Sequence, residues 1–399
     1  MMAANRELVS RQKISPTPIA IPSSELVNET SQFAHSLTNP GSTYLLYIGT
    51  YSGADADSIY IYLMDPVTGM LEFYNGHKAG ANPSFLSLTP NGQFLYAVNQ
   101  LTTFQGQPGG AVSAFAINPI SGKLSFLNQQ PSHGSGPCHL TTDRQGRFLL
   151  AANYLSGTLS VYPIHADGRL EIASQVVQHH GQGVSKEQEG PHAHFITVTS
   201  DNRFALSCDL GIDKVLIYQF DSINGNLQAN SEAVLSPGSG PRHLDFHPNG
   251  GYIYLINELN STMTVLTYNI ETGTATQIQT LSTLPEGYEG PNSCAEVWVH
   301  PSGKFVYGSN RGHDSIAIFA VEAGTGRLRL VGHEPTRGKT PRYFVLDPIG
   351  RFLLVANQNS NTVVNFQINT HTGRLSYLQH IDVPKPVCVK FWTVEKLHS

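Results

Sequence analysis

Few residues in this chain are equipped for chemistry, because charged side chains make up only 13% of its 399 residues, against the roughly 25% of an ordinary globular domain. His192 and His194 lie in Gly190-Pro191-His192-Ala193-His194, and Arg242 and His243 in Gly240-Pro241-Arg242-His243. Glu258 follows Asn257, Arg311 follows Asn310, and Arg342 follows Thr340-Pro341. Carboxylate, imidazole and guanidinium groups together offer proton transfer and anion binding. His192 and His194 have the spacing of a strand-borne metal pair, since alternate strand residues share a face. No third and fourth ligands stand in register, so no metal is expected. Arg242 and Glu258 could also form a plain inter-strand ion pair. His139 and His243 occupy equivalent places in the pattern described below, which sets a shared structural task against a functional one. His179-His180, in a Gly/Gln-rich loop, is expected to be solvated. Neither a G-x-S-x-G elbow nor a Walker-type glycine loop occurs, which argues against serine-nucleophile hydrolysis and nucleotide chemistry.

What must position these residues is a repeat. An aromatic opens an apolar run that an Asn or Asp closes five residues later: Phe94 to Asn99, Phe148 to Asn153, Phe204 to Asp209, Tyr252 to Asn257, Phe305 to Asn310 and Phe352 to Asn357. A turn such as Pro301-Ser302-Gly303 precedes each aromatic, and a short apolar strand precedes the turn. An alternating strand and a Gly-x-Leu turn, such as Gly373-Arg374-Leu375, lead into a fourth strand. Successive aromatics are 54, 56, 48, 53 and 47 residues apart, the length of a four-stranded propeller blade. An earlier copy at Tyr44 begins with its second strand, and residues 386–391 read as a lone first strand. The expectation is an all-β, seven-bladed β-propeller of four-stranded antiparallel blades over residues 44–391. The C-terminal strand would join the N-terminal blade and close the ring, removing an open edge.

Residues that recur in every blade are architecture, so the closing Asn and Asp are expected to be turn caps. Polar residues that break the pattern are better functional candidates. The start of a first strand and the end of a second lie at the same end of a hairpin. His194, Arg242, Glu258, Arg311 and Arg342 should therefore share one rim of the propeller channel. Loops 181–190 and 286–290, leading into blades four and six, should end on that rim.

The net charge of −5, without a basic block, disfavours nucleic acid as a partner. No apolar run approaches the ~20 residues of a membrane span. Residues 1–43 read as a flexible polar tail, since Ile19-Ala20-Ile21 is too short for a signal peptide's apolar core. Residues 392–399 read as a short C-terminal tail. Cys138, Cys208, Cys294 and Cys388 are scattered, without a C-x-x-C pair, and read as small buried thiols. A cytoplasmic location is the default.

Several motifs fall in order in different blades: Tyr47-Ile48-Gly49-Thr50-Tyr51, the His192 and Arg242 segments, Asn257-Glu258-Leu259, Ser309-Asn310-Arg311-Gly312-His313-Asp314 and Thr340-Pro341-Arg342. Together they resemble the lactonase family of seven-bladed propellers, which includes 6-phosphogluconolactonases and 3-carboxy-cis,cis-muconate lactonizing enzymes. The resemblance covers about residues 44–391. It implies a catalytic set of His194, Arg242, Glu258 and Arg311, no cofactor, and a small lactone as partner. Relatives often carry a smaller polar residue at the place of Tyr343, so the pocket is expected to differ on that side.

In the implied reaction, water attacks the lactone carbonyl. Glu258 is the candidate general base. Neighbouring arginines would lower its pKa, which makes His194 a rival for the role. Arg242 would stabilise the oxyanion. Arg311, with Arg342, would bind a substrate phosphate or carboxylate, and His192 and His243 would complete the substrate-binding set. Three functions stay open: hydrolysis of a sugar lactone, foremost 6-phosphogluconolactone; carboxy-muconate lactonizing activity; and a non-catalytic binding propeller. Nothing in the residues indicates an oligomeric state.

Overall fold

The computed structural model describes residues 43–393. All but the innermost residues of the two expected tails lie outside these. The described residues form seven four-stranded antiparallel sheets, together with a short hairpin at 103–108. Each sheet's inner strand packs on the inner strands of its two neighbours, all the way round a ring. The inner strands are Pro386–Thr393, Pro83–Leu88, Pro137–Thr142, Ala193–Val198, Pro241–Phe246, Ser293–Val299 and Pro341–Leu346, in blades one to seven. Pro386–Thr393 pairs antiparallel with Tyr44–Thr50, so the last strand does complete the first blade.

The two recurring sequence signals meet across blades. The glycine of each Gly-x-Leu turn has positive φ, and all but Gly122, which meets Leu45, Tyr47 and Trp392, lie against the aromatic that opens the second strand of the preceding blade. At Gly225 (φ 74°) a Cβ would overlap the Phe148 ring, so only glycine allows this approach. Two residues after the aromatic, Tyr96, Tyr254 and Tyr307 donate hydroxyl hydrogen bonds to the turn carbonyls of Gly168, Gly326 and Gly373 at 2.9–3.0 Å. Between these staples lie continuous apolar layers. One between blades four and five holds Phe204, Leu206, Val215, Ile217, Leu244, Ile253 and Leu255. Each such side chain contributes about 1.5–3 kcal/mol on burial.

The closing Asn residues do more than cap turns. Asn99, Asn153, Asn310 and Asn357 donate their side-chain amides to carbonyls of Ala79, Ser132, Thr283 and Thr336 at 2.8–3.0 Å. Each carbonyl belongs to the segment linking one blade to the next. These backbone groups would otherwise be buried without a partner, which explains why the amide recurs.

One feature was not visible in the repeat. The ladder between inner and second strands slips by one residue near its start, at Ser84, Cys138, His194, Arg242 and Arg342, and again at Val387. In blade six the slip spans Ala295 and Glu296. A bulged residue has no cross-strand partner and its side chain is re-aimed. The fold thus has seven such places, and His194, Arg242 and Arg342 occupy three of them.

Candidate active site

In blades three to seven a residue between the second and third strands takes the left-handed conformation, and some of these fix the entry of the next inner strand. Asp213 (φ 54°) and Asp314 (φ 53°) are two of these, and Asp tolerates the conformation because its side chain bonds locally. Asp213 accepts hydrogen bonds from the backbone N–H groups of Gly238 and Gly240, both at 2.7 Å, just before Arg242. Asp314 accepts from the Thr340 N–H at 2.8 Å, just before Arg342. Both arginines therefore leave anchored backbone.

Among Arg242, Glu258, Arg311 and Arg342, Arg242 is the most deeply buried, with 2% of its surface exposed. Its Nε lies 2.8 Å from Glu258 Oε2, but the N–H is not aligned on that oxygen, so the contact is one of charge. Nη1 donates to the Ala295 carbonyl. Arg311 Nη2 sits 2.9 Å from the same Glu258 oxygen, and Nε and Nη2 also donate to the carbonyls of Ser293 and Cys294 at 3.3 and 2.8 Å. Burial alone would raise the Glu258 carboxyl, but Arg311, Arg242 and Arg342 together outweigh it and hold it below the usual carboxylate range. Burial, reinforced by Arg311, lowers Arg242 to about 10, so it remains a cation at neutral pH. His194 is pushed well below its ordinary value by burial and then by Arg242, His243, Arg342 and Arg311. Its imidazole is neutral in the working range. Arg342 stands over the Tyr51 ring at 5.5 Å.

The structure brings His194, Arg242, Glu258, Arg311 and Arg342 to one rim, and adds Tyr154. The Tyr154 ring stacks on His192 (centroids 4.5 Å apart, planes at 16°) and meets His194 edge-on at 5.4 Å. Tyr154 occupies the place in its blade that Glu258 has in blade five, and that equivalence was the available signal for it. His192 and His194 do not form a metal pair. The bulge at His194 breaks the strand alternation, and His192 Nδ1 is taken by the Tyr154 carbonyl at 2.9 Å.

His243 lies one residue beyond the rim, in the channel. It lines a cavity of about 300 Å³ with Phe85, His139, Glu296, Tyr343 and Lys390. Tyr343 is thus a channel residue, its hydroxyl accepting from Lys390 Nζ at 2.8 Å, and does not alter the rim pocket as expected. His139 is buried there too, its Nδ1 accepting from the Ile196 N–H at 3.4 Å; neither His139 nor His243 bonds a turn carbonyl.

His179 overturns the expectation of a solvated His179-His180 pair: His180 is exposed, but His179 is buried. Its Nδ1 lies 2.6 Å from Asp209 Oδ2 and its Nε2 lies 3.0 Å from the Tyr218 hydroxyl. The other Asp209 oxygen accepts from the backbone N–H groups of His192 and Gly211, at 2.7 and 3.0 Å. Blade four carries Asp where blades two, three, five, six and seven carry Asn, because it receives these N–H groups and a ring. Asp209→Ala would strip all three partners inside the fold. We expect it to cost roughly 3–5 kcal/mol, read as a lowered urea midpoint, and Asp209→Asn to cost less.

Loop 181–190 is fastened to the same blade: Gln188, fully buried, donates to the Leu210 carbonyl and Asp213 Oδ1, both at 2.8 Å. Its end reaches the site through Glu189, 3.6 Å from His192 Nε2. In loop 286–290, Tyr288 packs on His313 instead, ring centroids 4.8 Å apart. Cys138, Cys208, Cys294 and Cys388 are free and buried, as expected. Among the described residues no helix is long and apolar enough to cross a membrane.

The sequence matches the family described as lactonase, 7-bladed beta-propeller, over residues 45–391. It is 37% identical to a 6-phosphogluconolactonase of Bacillus subtilis over 349 residues, covering 87% of this chain and 98% of that protein. It is 34% identical to a 6-phosphogluconolactonase of Formosa agariphila, covering 76% and 86% of the two chains. Among solved structures, the periplasmic gluconolactonase of Pseudomonas aeruginosa superposes with a TM-score of 0.82 at 32% identity, covering 89% of this chain and all of that one.

Proposed function

This chain belongs to the seven-bladed β-propeller lactonase family and is a lactone hydrolase, and from that premise we propose that its substrate is 6-phosphogluconolactone, opened to 6-phosphogluconate at the Glu258 rim. The observation that carries this reading is a charge imbalance. Three guanidinium groups, Arg242, Arg311 and Arg342, act on one carboxylate, Glu258, in a chain whose net charge is −5. A phosphate monoester brings about −1.5 to −2 at pH 7 and would balance them.

Arg242, already at the bottom of the site, stabilises the tetrahedral oxyanion, where a fixed donor in a water-poor setting acts most strongly. Glu258 orients and deprotonates the attacking water; its lowered pKa limits its basicity but keeps it ionised throughout. His194, neutral, donates a hydrogen bond to the departing ring oxygen, and the proton that Glu258 took from water ends on that oxygen. Arg311 has Nε and Nη2 committed to protein partners, which leaves Nη1 for a phosphate oxygen. Arg342 makes no side-chain hydrogen bond to the described protein and is the second phosphate ligand. His192, stacked on Tyr154, forms the side wall. A phosphorylated substrate goes with a cytoplasmic location.

The test is a comparison of 6-phosphogluconolactone with unphosphorylated gluconolactone, corrected for spontaneous hydrolysis. We expect kcat/KM to favour the phosphorylated lactone. Arg342→Met should raise its KM by about 10- to 100-fold, the value of a charged hydrogen bond, and leave the unphosphorylated lactone within about 3-fold, too little for such a bond. Equal effects on both would remove the phosphate from this reading. Turnover of a carboxymuconolactone alone would move the chain to the muconate enzymes.

A further inference from the structure

Among the described residues, three buried ring nitrogens have no partner: His77 Nε2, His194 Nδ1 and His243 Nε2. The last two belong to neighbouring rings, with centroids 5.1 Å apart and planes at 62°. The two nitrogens do not bond each other; a single bridging water between the rings would link them. The other nitrogen of His243, Nδ1, lies 3.0 and 3.1 Å from the two oxygens of Glu296. Glu296 Oε1 also accepts from the Val297 N–H at 3.0 Å. A line of polar groups therefore runs from Glu296, in the channel, through His243 to His194 at the rim. Its members lie on the inner strands of blades six, five and four. Burying such groups without function is costly.

We propose that Glu296 and His243 are positioning residues which decide which ring nitrogen of His194 carries its proton, and so whether His194 meets the substrate as donor or acceptor. The logic is that of a hydrogen-bonded imidazole, whose tautomer is set by what its inner nitrogen touches. When the pair holds a proton, Glu296 donates to His243 Nδ1. His243 then presents Nε2–H to His194 Nδ1 through that water, and His194 carries its own proton on Nε2, as a donor to the leaving oxygen requires. When the pair loses that proton, each bond in the line reverses. Glu296 accepts from His243 Nδ1–H, His243 Nε2 accepts from His194 Nδ1–H through the water, and the proton given up leaves from His194 Nε2 to solvent. His194 then faces the substrate with a lone pair.

The charges around the line favour the first state at neutral pH. Burial, partly opposed by Arg242, the Val297 N–H and Lys390, raises Glu296 to about 8. Asp245 is raised to about 7, chiefly by burial, and Glu296 is among the groups acting on it. His243 is held well below its ordinary value by burial, Arg242, Arg342 and Lys390, against the pull of Glu258. His139, whose ring centroid lies 5.2 Å from that of His243, is likewise held neutral, chiefly by burial and His243. The group that titrates is thus the pair, with Glu296 as its acid.

The inference rests on the role given to His194 above, and the experiment separates the two. The ¹⁵N resonances of the His194 ring in the free full-length protein report its tautomer without reference to any substrate. The wild type should show a protonated Nε2 at pH 6.5 and a protonated Nδ1 at pH 9.5. Glu296→Gln cannot lose a proton; its carbonyl keeps the Val297 N–H and its amide donates to His243, so the exchange should vanish and Nε2 stay protonated. His243→Gln should break the line, abolish the pH response and lower kcat by about 10- to 100-fold, with KM little changed. A His194 tautomer that is the same at both pH values in the wild type, or that changes identically in Glu296→Gln, overturns the proposal whatever the activity. The expected ¹⁵N pattern without lactone hydrolysis would uphold it and refute the substrate assignment alone.

Discussion

Arg242→Met is expected to lower kcat for lactone opening by on the order of 10²–10³-fold, the usual cost of a lost oxyanion donor, with KM changed only a few-fold. Met preserves most of the buried stem and its packing, so the loss isolates the guanidinium. The bulge at Arg242 and the anchoring of its backbone by Asp213 hold that group before substrate arrives, which is what makes a donor effective. A second readout follows from Glu258. Its carboxyl is depressed in the folded protein, against burial, by Arg311, Arg242 and Arg342. The stabilisation this gives is present above the unfolded carboxylate value, about 4.3, and is lost as pH falls through the folded value. Removing Arg242 raises the folded value, so the acid limb of kcat/KM should move to higher pH. Were Arg242 only half of an ion pair, the Met variant would unfold at lower urea and shift its acid limb while keeping its kcat above that limb. Steady-state kinetics between pH 3 and 8 at fixed salt decide between the two.

The fold was legible because its signals are local and repeat. An aromatic that packs on a glycine of the next blade recurs at six of the seven contacts between blades, as Phe148 and Gly225 do, so counting the phrase counted the blades. Glu258, Arg311 and Arg342 were legible for the opposite reason, as charges in places where other blades carry neutral residues. The bulge was not, because nothing in Ala193-His194-Phe195 or Pro241-Arg242-His243 marks an extra residue in a ladder. One consequence concerns the residue after the bulge. His243 was expected in the substrate-binding set with Arg311 and Arg342, but the re-aimed Arg242 takes the rim and His243 lines the channel with Glu296 and Tyr343. His179 failed differently: its partners Asp209 and Tyr218 are 30 and 39 residues away. A loop of Gly and Gln says nothing about the blade against which it will be buried.

Glu258→Gln should have the largest effect on turnover, lowering kcat by about 10²–10⁴-fold, the range for a lost general base. The amide keeps the volume of the carboxylate and can still accept from Arg311, but it cannot take a proton from water. It also removes the one negative charge that the three arginines share. With that counter-charge gone, an anionic ligand meets less competition, so KM for the phosphorylated lactone should fall and 6-phosphogluconate should inhibit more strongly. Loss of kcat with tighter anion binding is a pattern that general damage to the site does not produce, since damage weakens both. A variant with kcat within a few-fold of wild type would transfer water activation to His194. In that case the lone-pair tautomer would be the active one, and activity should rise with pH through the titration of the Glu296–His243 pair rather than fall.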